Sequence, residues 1–164
     1  PDMEAYSKAL NAGQYPLSVL AMNGKAAELY RSGIYGNTMT SNPKALDIAS
    51  AVIDSLDSET RNNICERGEE LKDKLSELAI ELGSDITKVQ GTGLLASCEL
   101  SDNFKCCGSE STEEYLRING LGVIHGGVNS LRYTPYFKMT SEEVDLIVKL
   151  TKDAILNGPK AQNI

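Results

Sequence analysis

The chain has 164 residues, of which 41% are apolar and 24% charged; this is ordinary globular usage and excludes a disordered tract, a low-complexity polymer or a mini-protein that needs staples. The net charge is −7, from 16 Lys and Arg against 23 Asp and Glu, and the basic residues are scattered, so neither nucleic acid nor an anionic membrane meets a basic footprint. Cys65, Cys98, Cys106 and Cys107 contain no Cys-x-x-Cys pair, which points to reduced thiols in a cytoplasmic protein and gives no metal site. No apolar run reaches the length of a membrane span, and no basic flank with an apolar h-region opens the chain. The start at Pro1-Asp2-Met3, followed almost at once by apolar sequence, is that expected of a segment cut from something longer.

In chain order, Pro16 to Ala21 predicts a buried strand entered through a glycine-rich turn. Asn23 caps a short helix to about Tyr30, and Ser32-Gly33 with Gly36-Asn37-Thr38 punctuate a loop. Asn42-Pro43 reads as an N-cap followed by proline at the first helical position, where its missing N–H costs nothing. Leu46, Ala49, Val52, Ile53 and Leu56 recur at helical spacing, and Ile64, Leu71, Leu75, Leu78 and Leu82 continue into a longer helix that Gly83 ends. Ile86 to Gln90 and Leu94 to Leu100 predict two strands joined by the tight turn Gly91-Thr92-Gly93. Ser111-Thr112-Glu113-Glu114 is a capping-box pattern opening a helix that Gly120 closes. Leu121 to His125 and Ser130 to Tyr133 predict strands on either side of Gly126-Gly127. A second capping box, Thr140-Ser141-Glu142-Glu143, starts a last helix striped by Val144, Ile147, Val148, Leu150 and Ile155 and ended by Asn157-Gly158-Pro159. From residue 57 onward the expected fold class is α+β, a small and mostly antiparallel sheet backed by helices.

Most polar features have plain structural roles. His125, the one histidine, lacks any local nucleophile elbow and is expected at a strand end, facing solvent or a carbonyl. Carboxylates gather at helix starts (Glu113, Glu114, Glu142, Glu143) and along the exposed face of the long helix, where the dipole and solvation account for them. Gly91-x-Gly93 lacks the third glycine and the βαβ setting of a dinucleotide site. Three places remain. Lys8 precedes a small-residue turn and a strand, where a lysine projecting into a cleft suits imine chemistry with a carbonyl compound. Residues 36–43 place Asn37, Thr38, Thr40 and Ser41 just before a helix N-terminus, whose amides favour an anion such as phosphate. Arg132, between apolar neighbours in Leu131-Arg132-Tyr133-Thr134-Pro135, needs a carboxylate partner, internal or from a substrate.

Taken in order, Pro1-Asp2, Ser7-Lys8-Ala9-Leu10, Gly13-x-Tyr15-Pro16-Leu17-Ser18, Gly36-x-Thr38 with Asn42-Pro43, Gln90-Gly91-Thr92-Gly93-Leu94-Leu95 and Leu131-Arg132-Tyr133-x-Pro135 resemble the C-terminal part of class III pyridoxal-phosphate aminotransferases. Ornithine, acetylornithine and other ω-amino acid aminotransferases belong to that family. The resemblance spans essentially the whole chain and about the last two-fifths of such an enzyme. It implies part of a fold type I transferase: the tail of the large cofactor-binding domain over 1–42, a connecting helix over 43–56 and the small α+β domain over 57–164. It implies that Lys8 bonds the cofactor aldehyde and shuttles the substrate proton, and that Thr38, with Asn37 beside it, reaches the phosphate of the partner subunit's cofactor in a homodimer. Arg132 is implied to clamp the substrate carboxylate. The reaction implied moves an amino group from an amino acid to a 2-oxo acid. Met39 and Tyr136 depart from the family pattern and leave the amino donor open. The pyridine-nitrogen aspartate, the stacking aromatic and the same-subunit phosphate turn of the family lie upstream of the lysine, so this stretch alone is expected to be inactive and without bound pyridoxal phosphate. Other readings are an aminomutase or decarboxylase using the same lysine, and a non-catalytic α+β dimerisation or regulatory module in which Arg132 is paired internally.

Overall fold

A computed structural model describes residues 1–34, 36 and 42–161. The chain divides into two compact units, Pro1–Asp57 and Ser58–Ile164.

In the first unit, strand β1 (Met3–Ser7) pairs antiparallel with β2 (Ser18–Met22), Met3 opposite Met22 and Ser7 opposite Ser18. β1 has no counterpart among the expected strands, and its pairing turns the expected buried strand into one arm of a hairpin. Both strands are exposed along their length, because a two-stranded ribbon has no layer in which to bury its faces. A one-turn helix α1 (Gly24–Ala27) follows, Asn23 accepting from Ala26 N as its cap (2.9 Å). Helix α2 (Pro43–Asp54) starts as its sequence signals require: Asn42 Oδ1 accepts from Lys44 N (3.0 Å) and Pro43 takes the first position.

The second unit is an α+β layer. Helix α3 (Ser58–Leu82), strands β3 (Ile86–Thr92) and β4 (Leu95–Leu100), helix α4 (Thr112–Ile118), strands β5 (Ile124–Gly126) and β6 (Ser130–Tyr133) and helix α5 (Ser141–Asn157) succeed one another. Among the described residues the strands form an antiparallel sheet in the order β3-β4-β6-β5. One face of that sheet is apolar: Ala96, Cys98 and Leu100 of β4 and Leu131 and Tyr133 of β6 are buried against Leu71, Leu75 and Leu78 of α3 and Val144, Ile147, Ala154 and Ile155 of α5. Alternate residues of each strand point the other way, which leaves the second face open, with Gln90, Ser97 and Arg132 beside the exposed Leu95 and Ile124. Tyr133 carries its hydroxyl into the core, where it shares a hydrogen bond with Thr151 Oγ1 (3.0 Å), as a buried phenol must.

The helix starts differ in detail. At α5 the full capping box forms, Thr140 Oγ1 accepting from Glu143 N and Glu143 Oε2 accepting from Thr140 N (2.7 Å). At α4 half of it forms: Ser111 Oγ accepts from Glu114 N, while the Glu114 carboxylate accepts from Glu110 N (2.7 Å) and not from Ser111. Gly83 (φ 63°) ends α3 in the left-handed conformation of a helix C-terminus. Midway along α3, Gly68 lets the helix run against the β3–β4 turn, where an added Cβ would stand 2.3 Å from the carbonyl carbon and oxygen of Gly93.

Candidate functional site

Ser7 ends β1 in an extended conformation; its Oγ donates to Leu17 O (3.2 Å) and accepts from Ser18 Oγ (3.1 Å), closing the end of the hairpin. At Lys8 the backbone turns to φ 54°, a left-handed conformation that costs a non-glycine residue on the order of 1–3 kcal/mol and persists only where the surroundings over-determine it. The surroundings do so here. Lys8–Asn11 forms a 3₁₀ turn, Ala12 N donates back to Ala9 O (3.0 Å), and the buried Asn11 donates through Nδ2 to Tyr15 O (2.8 Å). Helix α2 packs against the same turn. Lys8 therefore leaves the hairpin from a braced backbone, and its exposed ammonium has no ion pair or hydrogen bond among the described residues.

Arg132 lies on the open face of the second unit's sheet. It pairs with Ser97 of β4 and Ile124 of β5, and Ser97 in turn pairs with Gln90 of β3, so Gln90, Ser97, Arg132 and Ile124 form one row across the sheet. A cleft of about 710 Å³ opens over this row, its walls including Gln90, Thr92, Ser97, Gly126, Ser130 and Arg132. The other lining groups are neutral, and among the described residues no carboxylate pairs with the guanidinium. An internal ion pair is therefore not what Arg132 is for in this fold. A planar fork of donors facing a cleft takes a carboxylate bidentately.

Lys8 and Arg132 belong to different units, and Asn37 and Thr38, the expected phosphate contacts, lie outside the described residues together with Met39. Two features of the cleft region had no clear signal in the sequence. His125 is exposed in β5, as expected, and also meets a carboxylate: its Nδ1 donates to Glu113 Oε2 at 2.9 Å, and Glu113, largely buried, also takes Arg117. The i, i+4 spacing of Glu113 and Arg117 was legible, but the link to β5 crosses a chain turn. Asn129, in the β5–β6 turn at φ 42°, donates through Nδ2 to the carbonyls of Leu100, Ser101 and Phe104 and accepts from Cys106 N (2.9 Å). That one amide ties the turn beside the cleft to the loop after β4. The cysteines offer no nucleophile in the core: burial pushes the thiols of Cys98 and Cys106 up to about 12, and all four cysteines are free.

An antiparallel sheet backed by helices matches part of a fold type I aminotransferase. The family model of class-III aminotransferases matches residues 1–155, and the chain belongs to that family. It is similar to the acetylornithine aminotransferase of Neisseria meningitidis serogroup B, 30% identical over 145 residues that cover 88% of this chain and 36% of that one. The ornithine aminotransferase of Oceanobacillus iheyensis is 28% identical over 159 residues, 96% of this chain and 38% of the relative. Among solved structures, the acetylornithine aminotransferase of Elizabethkingia anophelis matches with a TM-score of 0.80 at 30% identity, over 95% of this chain and 41% of that one. The chain thus spans well under half the length of the relatives it matches. Among the described residues no helix is long and apolar enough to cross a membrane.

Proposed function

We propose that this chain carries the lysine and the substrate-binding arginine of an enzyme that moves an amino group from an amino acid of the ornithine or acetylornithine kind to a 2-oxo acid, in the cytoplasm and as a homodimer. When bound, pyridoxal phosphate supplies an aldehyde for amine exchange and a pyridine ring that withdraws electrons from the substrate carbon. The residues present fit the aldehyde end of that group, since Lys8 offers a primary amine that no described acid neutralises, on backbone held in one conformation. In this reading Lys8 Nζ would hold the aldehyde and would move the proton at the substrate carbon that bears the transferred amine. Asn37 and Thr38 reach the phosphate of the partner subunit's cofactor. Arg132 binds the substrate carboxylate through two parallel N–H donors and so orients the substrate in the site. Residues 1–42 belong to the large cofactor-binding domain, 43–56 to a connecting helix and 57–164 to the small domain.

The observation that carries this reading is Arg132: a guanidinium on an open sheet face, over a cleft, with no carboxylate of its own among the described residues. The test is made in the full-length protein. Lys8→Ala is expected to abolish amino transfer from ornithine or N-acetylornithine to a panel of 2-oxo acids, and borohydride reduction is expected to attach the cofactor to Lys8. Attachment to another lysine would refute the assignment.

A further inference from the structure

Gly126 is a glycine for a reason that its own backbone does not supply. Its φ lies outside the left-handed region, and the neighbouring Gly127, at φ 57°, makes the turn. What leaves no space for a side chain is Arg132: a Cβ on Gly126 would stand 2.2 Å from Nη2 and 2.7 Å from both Cζ and Nε of that guanidinium. The strand beneath cannot withdraw to make room. Gly126 pairs with Ser130 in the β5–β6 ladder, His125 next to it is tied to Glu113, and the turn beyond is tied down by Asn129. The guanidinium, at the far end of a flexible side chain, is the group that yields.

We propose that Gly126 is a positioning residue: the space it leaves seats the Arg132 guanidinium low on the open sheet face, leaning over β5 where Gly126 pairs with Ser130, and so sets where an anionic ligand meets it. Any β-carbon at 126 lifts the guanidinium out of that seat. The consequence for binding rests on the reading of Arg132 as the carboxylate clamp, whereas the seating itself does not.

The experiment follows the Nε–Hε resonance of Arg132, identified by its loss in Arg132→Lys, in the nitrogen-15-labelled chain with and without glutarate as a carboxylate probe. Gly126→Ala is expected to move that resonance in the ligand-free protein and to weaken glutarate by about tenfold or more, the worth of roughly one hydrogen bond to a charged group. In an Arg132→Ala background the same substitution is expected to leave the remaining spectrum and the melting temperature unchanged, because the space is then vacant. An unmoved resonance in Gly126→Ala overturns the proposal whether or not glutarate binds. A moved resonance with unaltered glutarate affinity overturns the role in binding. A moved resonance in a protein that never binds glutarate supports the seating and refutes the carboxylate reading instead. Should Gly126→Ala fail to fold, folding of the double variant supports the clash with the guanidinium, and failure of both overturns it.

Discussion

His125 Nδ1 and Glu113 Oε2 meet at 2.9 Å, joining β5 to α4 on the rim of the sheet. The two side chains are unequal partners, since the His125 ring is 62% exposed while the Glu113 side chain is 11% exposed and also holds Arg117. Removing His125 leaves Glu113 its Arg117 partner; removing Glu113 ends both contacts and takes a carboxylate from the first turn of α4. Glu113→Ala is therefore expected to lower unfolding stability by ~1.5–3 kcal/mol, the range for hydrogen bonds to charged groups, and His125→Ala by less than about 1 kcal/mol. Urea unfolding of the two variants checks the order, and equal losses would contradict it.

Gly68→Ala sets helix propensity against packing. Alanine in a helix interior is favoured over glycine by about 1 kcal/mol, yet a Cβ at 68 would stand 2.3 Å from backbone atoms of Gly93, and Gly93 is itself held at φ 52° in its turn. Backbone gives less readily than a side-chain tip, so packing wins and a net loss of ~1–3 kcal/mol is expected. A rise in melting temperature would show that α3 and the β3–β4 turn separate at little cost.

Glu70 lies where α3 faces α5. It accepts from Lys74 Nζ at 2.7 Å and from Ser141 Oγ, and these bonds, with Lys74 first, hold its carboxyl below the usual carboxylate range. Lys74 in turn is held above its ordinary value by Asp145 and Glu70. A carboxyl whose value is lowered by folding stabilises at pH above its unfolded value of about 4.3 and loses that contribution as pH falls through the folded value. A lysine whose value is raised keeps its contribution through neutral pH and loses it only as pH rises through the folded value. Between pH 7 and pH 2 the unaltered chain is thus expected to lose up to about 1 kcal/mol more than Glu70→Gln, a figure kept small by solvent screening. Identical acid slopes in urea unfolding would sink this.

In the proposed reading Lys8 is the one described residue assigned to pyridoxal phosphate in the 164-residue chain by itself. Its contacts with added cofactor must overcome the cost of immobilising the ligand, of several kcal/mol or more. Borohydride reduction followed by peptide mapping is expected to find the label spread over several exposed lysines. One stoichiometric label on Lys8, lost in Lys8→Ala, would show instead that this stretch rebuilds a pocket.

Local chemistry determined much of this protein from sequence alone. Asn42-Pro43, Thr140 with Glu143, Gly83 and the Leu71-Leu75-Leu78 stripe act within a few residues of themselves, so the helices they start, stop and bury are legible without a fold. The ordered motifs around Lys8 and Arg132 likewise led to the family whose model matches residues 1–155. Contacts between distant residues were decided only in three dimensions. β1 was invisible because Met3–Ser7 becomes a strand through pairing with Ser18–Met22, and strand preference depends on the neighbour more than on the residue itself. Whether Arg132 was an internal ion pair turned on which strand lay beside it, and the sheet placed Ser97 and Ile124 there, with no acid. Gly126 reads in the sequence only as half of a glycine pair between two strands, and Gly68 carries no signal there; each is the space that another part of the fold occupies, the Arg132 guanidinium in one case and Gly93 in the other. Close packing leaves no spare volume for a methyl group at either place, and that volume is a property of the assembled unit, not of any stretch of its sequence.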